Sequence, residues 1–425
     1  MKDAIKNSGV SYSYIPSNRF KTTLISVGFY LPSSRNNAAN ALALYLMRSG
    51  TEVLPDTYSF NRKLANLYGA SITSWIAKLG DCQELRLGIT VNDDRYSIGN
   101  EHTVDEAGKL LCDMIFARFL SKSDYPAEAV SREKRLLKEA VASKLNDKRT
   151  YARNRCEAIM CANEPFGLPE EGTEEEISAL ENGEIRKAFE RILKQAFISI
   201  QVVGASEPVC FADSFSKCLS AVGRDYKALP DDVITAAKDG DTVTETMPVK
   251  QGKLVLGLRS ENGGADRDTV ANWIMGDIFG GGPYSKLFCN VREKMSLCYY
   301  CSARSNRRKG IILVDSGVED QNIEAAKAAI LQQLDDMKNG CFSDKDMTSS
   351  KLSMCDSIRS VESDQSALAR WYAARSREKS PASPAEICEL LNAVTREDII
   401  NAAKSFRLDT VYILRPDSTQ KEAEQ

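Results

Sequence analysis

The sequence predicts an α+β fold of two tandem homologous domains, each a mixed, mostly antiparallel sheet with helices packed on one face. Three observations predict it. A chain of 425 residues exceeds what one ordinary core holds, and its 43% hydrophobic content supplies cores for two domains. Extended runs alternate with amphipathic helical runs. The order of those runs recurs at an offset of about 215 to 230 residues, close to half the length.

Each half opens on an extended run, Thr22 to Leu31 in the first and Lys253 to Arg259 in the second. A helical run follows, Asn37 to Arg48 and Asp268 to Phe279. These end at Gly50 and at Gly280 to Gly282, as helix C-termini often do. A Lys-Leu segment closed by Asn, Lys63 to Asn66 and Lys286 to Asn290, then leads into strand, turn and strand. There SITSWIA-KLGD-CQELRLGIT parallels SLCYYCSAR-SNRRKG-IILVDSG.

A long amphipathic helix closes in FLSKSD (Phe119 to Asp124) and CFSDKD (Cys341 to Asp346), before a second, charged helix. Both halves finish with a helix feeding a strand, Glu181 to Gly204 and Thr395 to Pro416, with Ile185 matching Ile399. Such correspondences in one order make the chain a duplication, with domains over 1–232 and 245–425 and the boundary in the polar stretch Pro230 to Lys250. The polar tail Asp417 to Gln425 is expected to fray.

The net charge of -3 comes from 56 basic and 59 acidic residues spread along the chain, with no polybasic tail and no acidic block. Nothing in that distribution recruits nucleic acid or anionic lipid, so proteins or peptides are the expected partners. The first twenty residues carry no apolar signal core and no cleavage site. The longest apolar stretch, around Leu24 to Leu31, falls far short of the roughly 20 residues a membrane helix requires. Twelve scattered cysteines without an export signal fit thiols in a reducing compartment, and the expected location is the cytoplasm.

The duplicated α+β pattern, with FGGGPYSKLFCNVREKMSLCYY in the second half, resembles the pitrilysin/insulinase/mitochondrial-processing-peptidase superfamily of zinc peptidases, and the resemblance covers essentially the whole chain. It implies the LuxS/MPP-like metallohydrolase fold. Active members carry His-x-x-Glu-His on a helix of the N-terminal half, just before a Lys-Gly-Thr-like segment, and a distal glutamate on a later helix. Residues i and i+4 share one helix face, so two imidazoles there bind one zinc while the glutamate takes a proton from the bound water.

Aligned on Ser49-Gly50-Thr51, this chain has Ala41 and Tyr45 in place of the histidines and Leu44 in place of the glutamate. The distal position falls in Arg132 to Val141, at Ala140, or at Glu139 if the register slips by one. These side chains read as core packing, with no catalytic residue, no metal ligand and no cofactor. The single histidine, His102, lies in a turn before another helix and does not replace the site.

In the second half the family pattern is kept. Active relatives contribute an Arg and a Tyr seven residues apart that bind the peptide backbone near the scissile bond. Arg292 and Tyr299 match both type and spacing. Arg offers fixed donors and Tyr a polar tip on a rigid ring, both suited to a carbonyl oxygen. The plainer alternative is a surface Arg paired with an acid and a strand Tyr that packs. Gly280 to Gly282 would let a loop approach a bound peptide closely.

Other patterns fail on context. Gly280 to Lys286 lacks the Gly-Lys-Ser/Thr end of a phosphate loop and follows a helix where that motif needs a strand. Cys298 and Cys301 have redox or metal spacing, but on a regular strand residues three apart point to opposite faces. Arg307-Arg308-Lys309 reads as a solvated hairpin tip. No nucleophile and base system can be assembled around one histidine.

The resemblance therefore implies a non-catalytic subunit that pairs with a zinc-bearing homologue, or with itself, and contributes Arg292 and Tyr299 to metal-dependent peptide hydrolysis. The alternative is a non-catalytic scaffold or peptide-binding protein. Some relatives are also associated with modification of elongation factor P.

Overall fold

The computed structural model describes residues 9–99, 101–233, 235–261, 269–377 and 381–417. The expectation for the tail beyond 417 lies outside them, as does the first residue of the second helical run, Asp268. Among the described residues, ten strands form two five-stranded sheets. They are β1 (Val10–Pro16), β2 (Thr22–Pro32), β3 (Ser71–Leu79), β4 (Cys82–Asn92) and β5 (Phe197–Gly204), then β6 (Asp241–Met247), β7 (Gly252–Ser260), β8 (Cys298–Asn306), β9 (Ile311–Val318) and β10 (Phe406–Pro416).

The strand orders are β1-β5-β2-β4-β3 and β6-β10-β7-β9-β8. These are one topology written twice. The edge pairs β1 with β5 and β6 with β10 are parallel, and all other pairs are antiparallel.

Sheet and helices separate by residue parity. In β2, Ile25, Val27 and Phe29 join the core formed with α1 (Asn37–Arg48), α2 (Thr103–Cys112) and α5 (Asn182–Gln195). The neighbouring position Leu24 packs instead with Val203, Leu368 and Ala369. Successive side chains on a strand face opposite ways, so α8 (Gln365–Ala374), which carries Leu368 and Ala369, lies on the second face. The second sheet repeats this. Val255, Leu313 and Tyr412 pack with Ala152, Cys156 and Met160 of α4 (Lys148–Met160), while Leu254, Leu256 and Leu258 are buried on the opposite face.

The chain therefore divides into two compact units that are not cut at one point. One comprises residues 1–142, 168–231 and 360–382, the other 143–167, 232–359 and 383–425. Among the described residues, each sheet has helices from its own half on one face and a helix from the other half of the chain on its second. Ala152, Cys156 and Met160 are spaced i, i+4, i+8, which puts them on one helix face. Met160 sits over Gly257, where a Cβ would come within 2.7 Å of its sulfur.

Two further differences from the sequence reading have the same origin. The stretch read as a polar boundary contains β6, and a domain starting at 245 divides that strand. The exposed threonines of DTVTETM alternate with half-buried Val243, Glu245 and Met247, as an edge strand's do. The basic turn is not fully solvated, since Lys309 is 0% exposed and pairs with Glu164 at 2.7 Å. Glu164 also meets Arg259 at 2.9 Å, and Arg259 meets Asp409 at 2.9 Å. Buried charges persist only when paired, and these four neutralise each other.

Candidate functional site

The helix aligned with the zinc motif forms over the expected residues, Asn37–Arg48, and runs through the core of its unit. Ala41 is 0% and Leu44 1% exposed, so hydrocarbon occupies two of the three motif positions. Neither side chain has a lone pair to give a metal or a group to take a proton from water. The residues present do not fit zinc, and no step through a metal follows.

Tyr45 is more than packing. Its half-buried ring rests on the core, and the Arg48 guanidinium lies over it, 3.8 Å from the centroid. Arg48 reaches on to Glu133 at 3.9 Å, which Arg132 meets at 3.0 Å. Glu133 belongs to α3 (Ala127–Asn146) and its side chain is 4% exposed. Glu139, the acid raised by a slipped register, is instead a solvated residue paired with Arg135 at 2.7 Å.

The sequence reading missed Glu133, although its position held the signal. Val130, Glu133 and Leu137 are spaced i, i+3, i+7 and are all buried, so the acid lies on the apolar stripe of its helix. His102 is largely exposed, with Nδ1 3.8 Å from Asp94. Among the described residues no cluster of three or more His, Cys, Asp or Glu side chains is placed to hold a metal ion.

Arg292 projects from a π-helical segment, Leu287–Lys294, which directly precedes β8. Its guanidinium lies 4.5 Å from the centre of the Phe288 ring and 3.5 Å from Glu293. Tyr299 is 62% exposed, and its hydroxyl donates to Glu319 at 3.1 Å. That bond raises the phenol's pKa. Both residues thus lie in one unit, Arg292 half-buried beside Glu293 and Tyr299 exposed beside Glu319.

The exposure of Tyr299 has a cause in the strand. Cys298 pairs with Val318, Tyr300 with Gly317 and Cys301 with Ser316, so Tyr299 is one residue too many. Such a bulge bends the strand and re-aims its side chains. It also overturns the geometry expected for Cys298 and Cys301. Directly opposed residues in an antiparallel pair share a face, and Val318 and Ser316 are two apart on β9, so both cysteines point the same way.

Gly280 has its contact inside the unit. It ends α6 (Val270–Gly280), and a Cβ there would stand 2.6 Å from the backbone nitrogen of Ala303 on β8.

Comparison with known proteins agrees with this architecture. Residues 180–354 match the family model described as "Peptidase M16 inactive domain". The chain is 26% identical over 411 residues to "Probable inactive metalloprotease YmfF" of Bacillus subtilis, covering 96% of each. Among solved structures, a conserved protein from Enterococcus faecalis superposes with a TM-score of 0.87 at 24% identity, covering 97% of both chains. A chain of Complex III2 from Candida albicans superposes with a TM-score of 0.73 at 16% identity, covering 96% of this chain and 93% of that one.

Fold and site together define a peptidase-like protein in which alanine, leucine and tyrosine stand at the three positions aligned with the zinc motif. Through residues 180–354 it is similar to the peptidase M16 inactive domain of the pitrilysin superfamily, and over nearly its whole length it is similar to YmfF.

Proposed function

We propose that this chain is the non-catalytic member of a peptide-handling pair. The helix aligned with the zinc motif is packed as core, while half-buried Arg292 and exposed Tyr299 keep their polar groups near a bulge. That contrast carries the reading. A partner with an intact His-x-x-Glu-His motif supplies metal and water, and this chain supplies donors that grip the peptide backbone. The assembly is a heterodimer with that homologue, or a homodimer if this chain acts alone as a peptide binder, and its location is the cytoplasm. Among the described residues no helix is long and apolar enough to cross a membrane.

Co-purification with a His-x-x-Glu-His homologue, followed by cleavage assays on each chain and on the mixture, tests this. Activity confined to the mixture, abolished by a chelator and by Arg292→Ala, is the expected result. Undiminished cleavage by the Arg292→Ala mixture would remove the grip from the account.

A scaffold role is the second reading, and the likeness to a chain of Complex III2 favours it. A stable complex that cleaves nothing would select it.

A further inference from the structure

The bulge at Tyr299 places two thiols side by side. Cys298 is 8% and Cys301 4% exposed, on the same face of β8 and opposite Val318 and Ser316. Two residues of strand span about 6.7 Å. A disulfide bridges Cα atoms roughly 4.4 to 6.8 Å apart, and the bend of a bulged strand shortens the gap. A regular strand would have separated these thiols across the sheet.

Their chemistry is unequal. The Cys301 thiol bonds to Cys298 and lowers its pKa, with the Arg292 charge acting in the same direction. Cys301 is raised by the same bond and by burial. The thiolate is the nucleophilic form, so an attacking sulfur and a protonated resolving sulfur stand together. Other buried cysteines differ, since burial pushes the Cys156 and Cys161 thiols up.

We propose that Cys298 and Cys301 form a peroxide-sensitive dithiol site, closing to an intrastrand disulfide around Tyr299. The Cys298 thiolate attacks one oxygen of a hydroperoxide. The O–O bond breaks, and the leaving hydroxide or alkoxide takes a proton. Cys298 is then a sulfenic acid. The Cys301 sulfur attacks the Cys298 sulfur, the S–S bond forms and the S–O bond breaks. The hydroxyl leaves with the Cys301 proton as water. Two thiols lose two electrons in all, and the peroxide is reduced by two. A small oxidant suits a sulfur as little exposed as Cys298. The dithiol chemistry does not require Tyr299 or Arg292 to hold a peptide, although the disulfide closes around Tyr299.

Cleavage after Lys294 and Arg304 leaves Met295 to Arg304, a peptide holding both cysteines and no other. The native full-length chain is treated with hydrogen peroxide, alkylated, digested and weighed. The expected product is this peptide with two hydrogens lost and neither sulfur alkylated, restored to double alkylation by dithiothreitol. Amide exchange across the bulge should slow on oxidation. In Cys301→Ser, reaction should stop at a dimedone-reactive Cys298, and in Cys298→Ser the remaining Cys301 should stay reduced.

Full alkylation of both sulfurs in the native chain after peroxide would overturn the proposal, as would pairing of either with a different cysteine. The native-chain measurement decides the question even if a variant fails to fold.

Discussion

Arg48 lies over the Tyr45 ring and reaches to 3.9 Å from the buried carboxylate of Glu133, so an arginine links the helix aligned with the zinc motif to α3. A cation over an aromatic face contributes about 0.5–2 kcal/mol, and a partly exposed ion pair at 3.9 Å adds up to about 1. Removing Arg48 leaves Glu133 paired with Arg132 at 3.0 Å. Arg48→Met should therefore lower unfolding stability by about 0.5–2 kcal/mol, read as a fall in the urea midpoint at unchanged slope. No change in the midpoint would show that the pair is incidental.

Restoring the motif should not restore chemistry. Ala41→His with Tyr45→His places imidazoles where one side chain is fully buried and the other supports Arg48. Overpacking of that kind costs about 1–3 kcal/mol. Thermal melts should drop and dialysis against zinc should leave substoichiometric metal. A stable variant holding one zinc per chain would contradict this.

The four-residue ion network predicts a larger loss. Asp409 and Arg259 are both 0% exposed at 2.9 Å. Breaking a buried pair strands its partner and costs about 3–5 kcal/mol. Asp409→Ala should approach that range, well beyond the roughly 0.5 kcal/mol of an ordinary surface change. Chemical denaturation measures it.

Much of the fold was legible because the repeat and its periodicities are local. Ile185 and Ile399, matched by sequence, are both buried on helices that feed the interior strands β5 and β10. What stayed hidden depends on long-range placement. VSYSYIP and DTVTETM become edge strands only when β5 and β10 arrive to pair with them. Lys309 reads as solvated until Glu164 is set beside it. The thiols of β8 share a face only through a bulge fixed by the register against β9.

Gly280 sets two effects against each other. Alanine is favoured over glycine inside a helix by about 1 kcal/mol, which predicts stabilisation by Gly280→Ala. The added Cβ, however, would meet the backbone nitrogen of Ala303 at 2.6 Å, and backbone in a sheet cannot rotate away. Overpacking at about 1–3 kcal/mol should win, so the variant melts lower. A higher melting temperature would show that α6 can lift off β8.

Acid should reveal Asp93. Burial alone would raise its pKa, but bonds from Arg95, Thr23 and Ser206 outweigh that and hold it at about 2, against an ordinary 3.8. Arg95 meets it at 2.7 Å, Thr23 Oγ1 at 2.9 Å and the Ser206 amide at 2.9 Å. A carboxylate with a depressed folded value binds fewer protons folded than unfolded. Its stabilisation is complete above the unfolded value and lost as pH falls through the folded one. Native stability should therefore decline as pH drops from about 4 to about 2. Asp93→Asn removes the charge from these bonds and should cost about 1.5–3 kcal/mol at neutral pH. Its deficit should shrink across the same acid window, because the native carboxylate is being neutralised there. Urea midpoints of both proteins at several pH values decide this, and a deficit constant with pH would assign the acid loss to other groups.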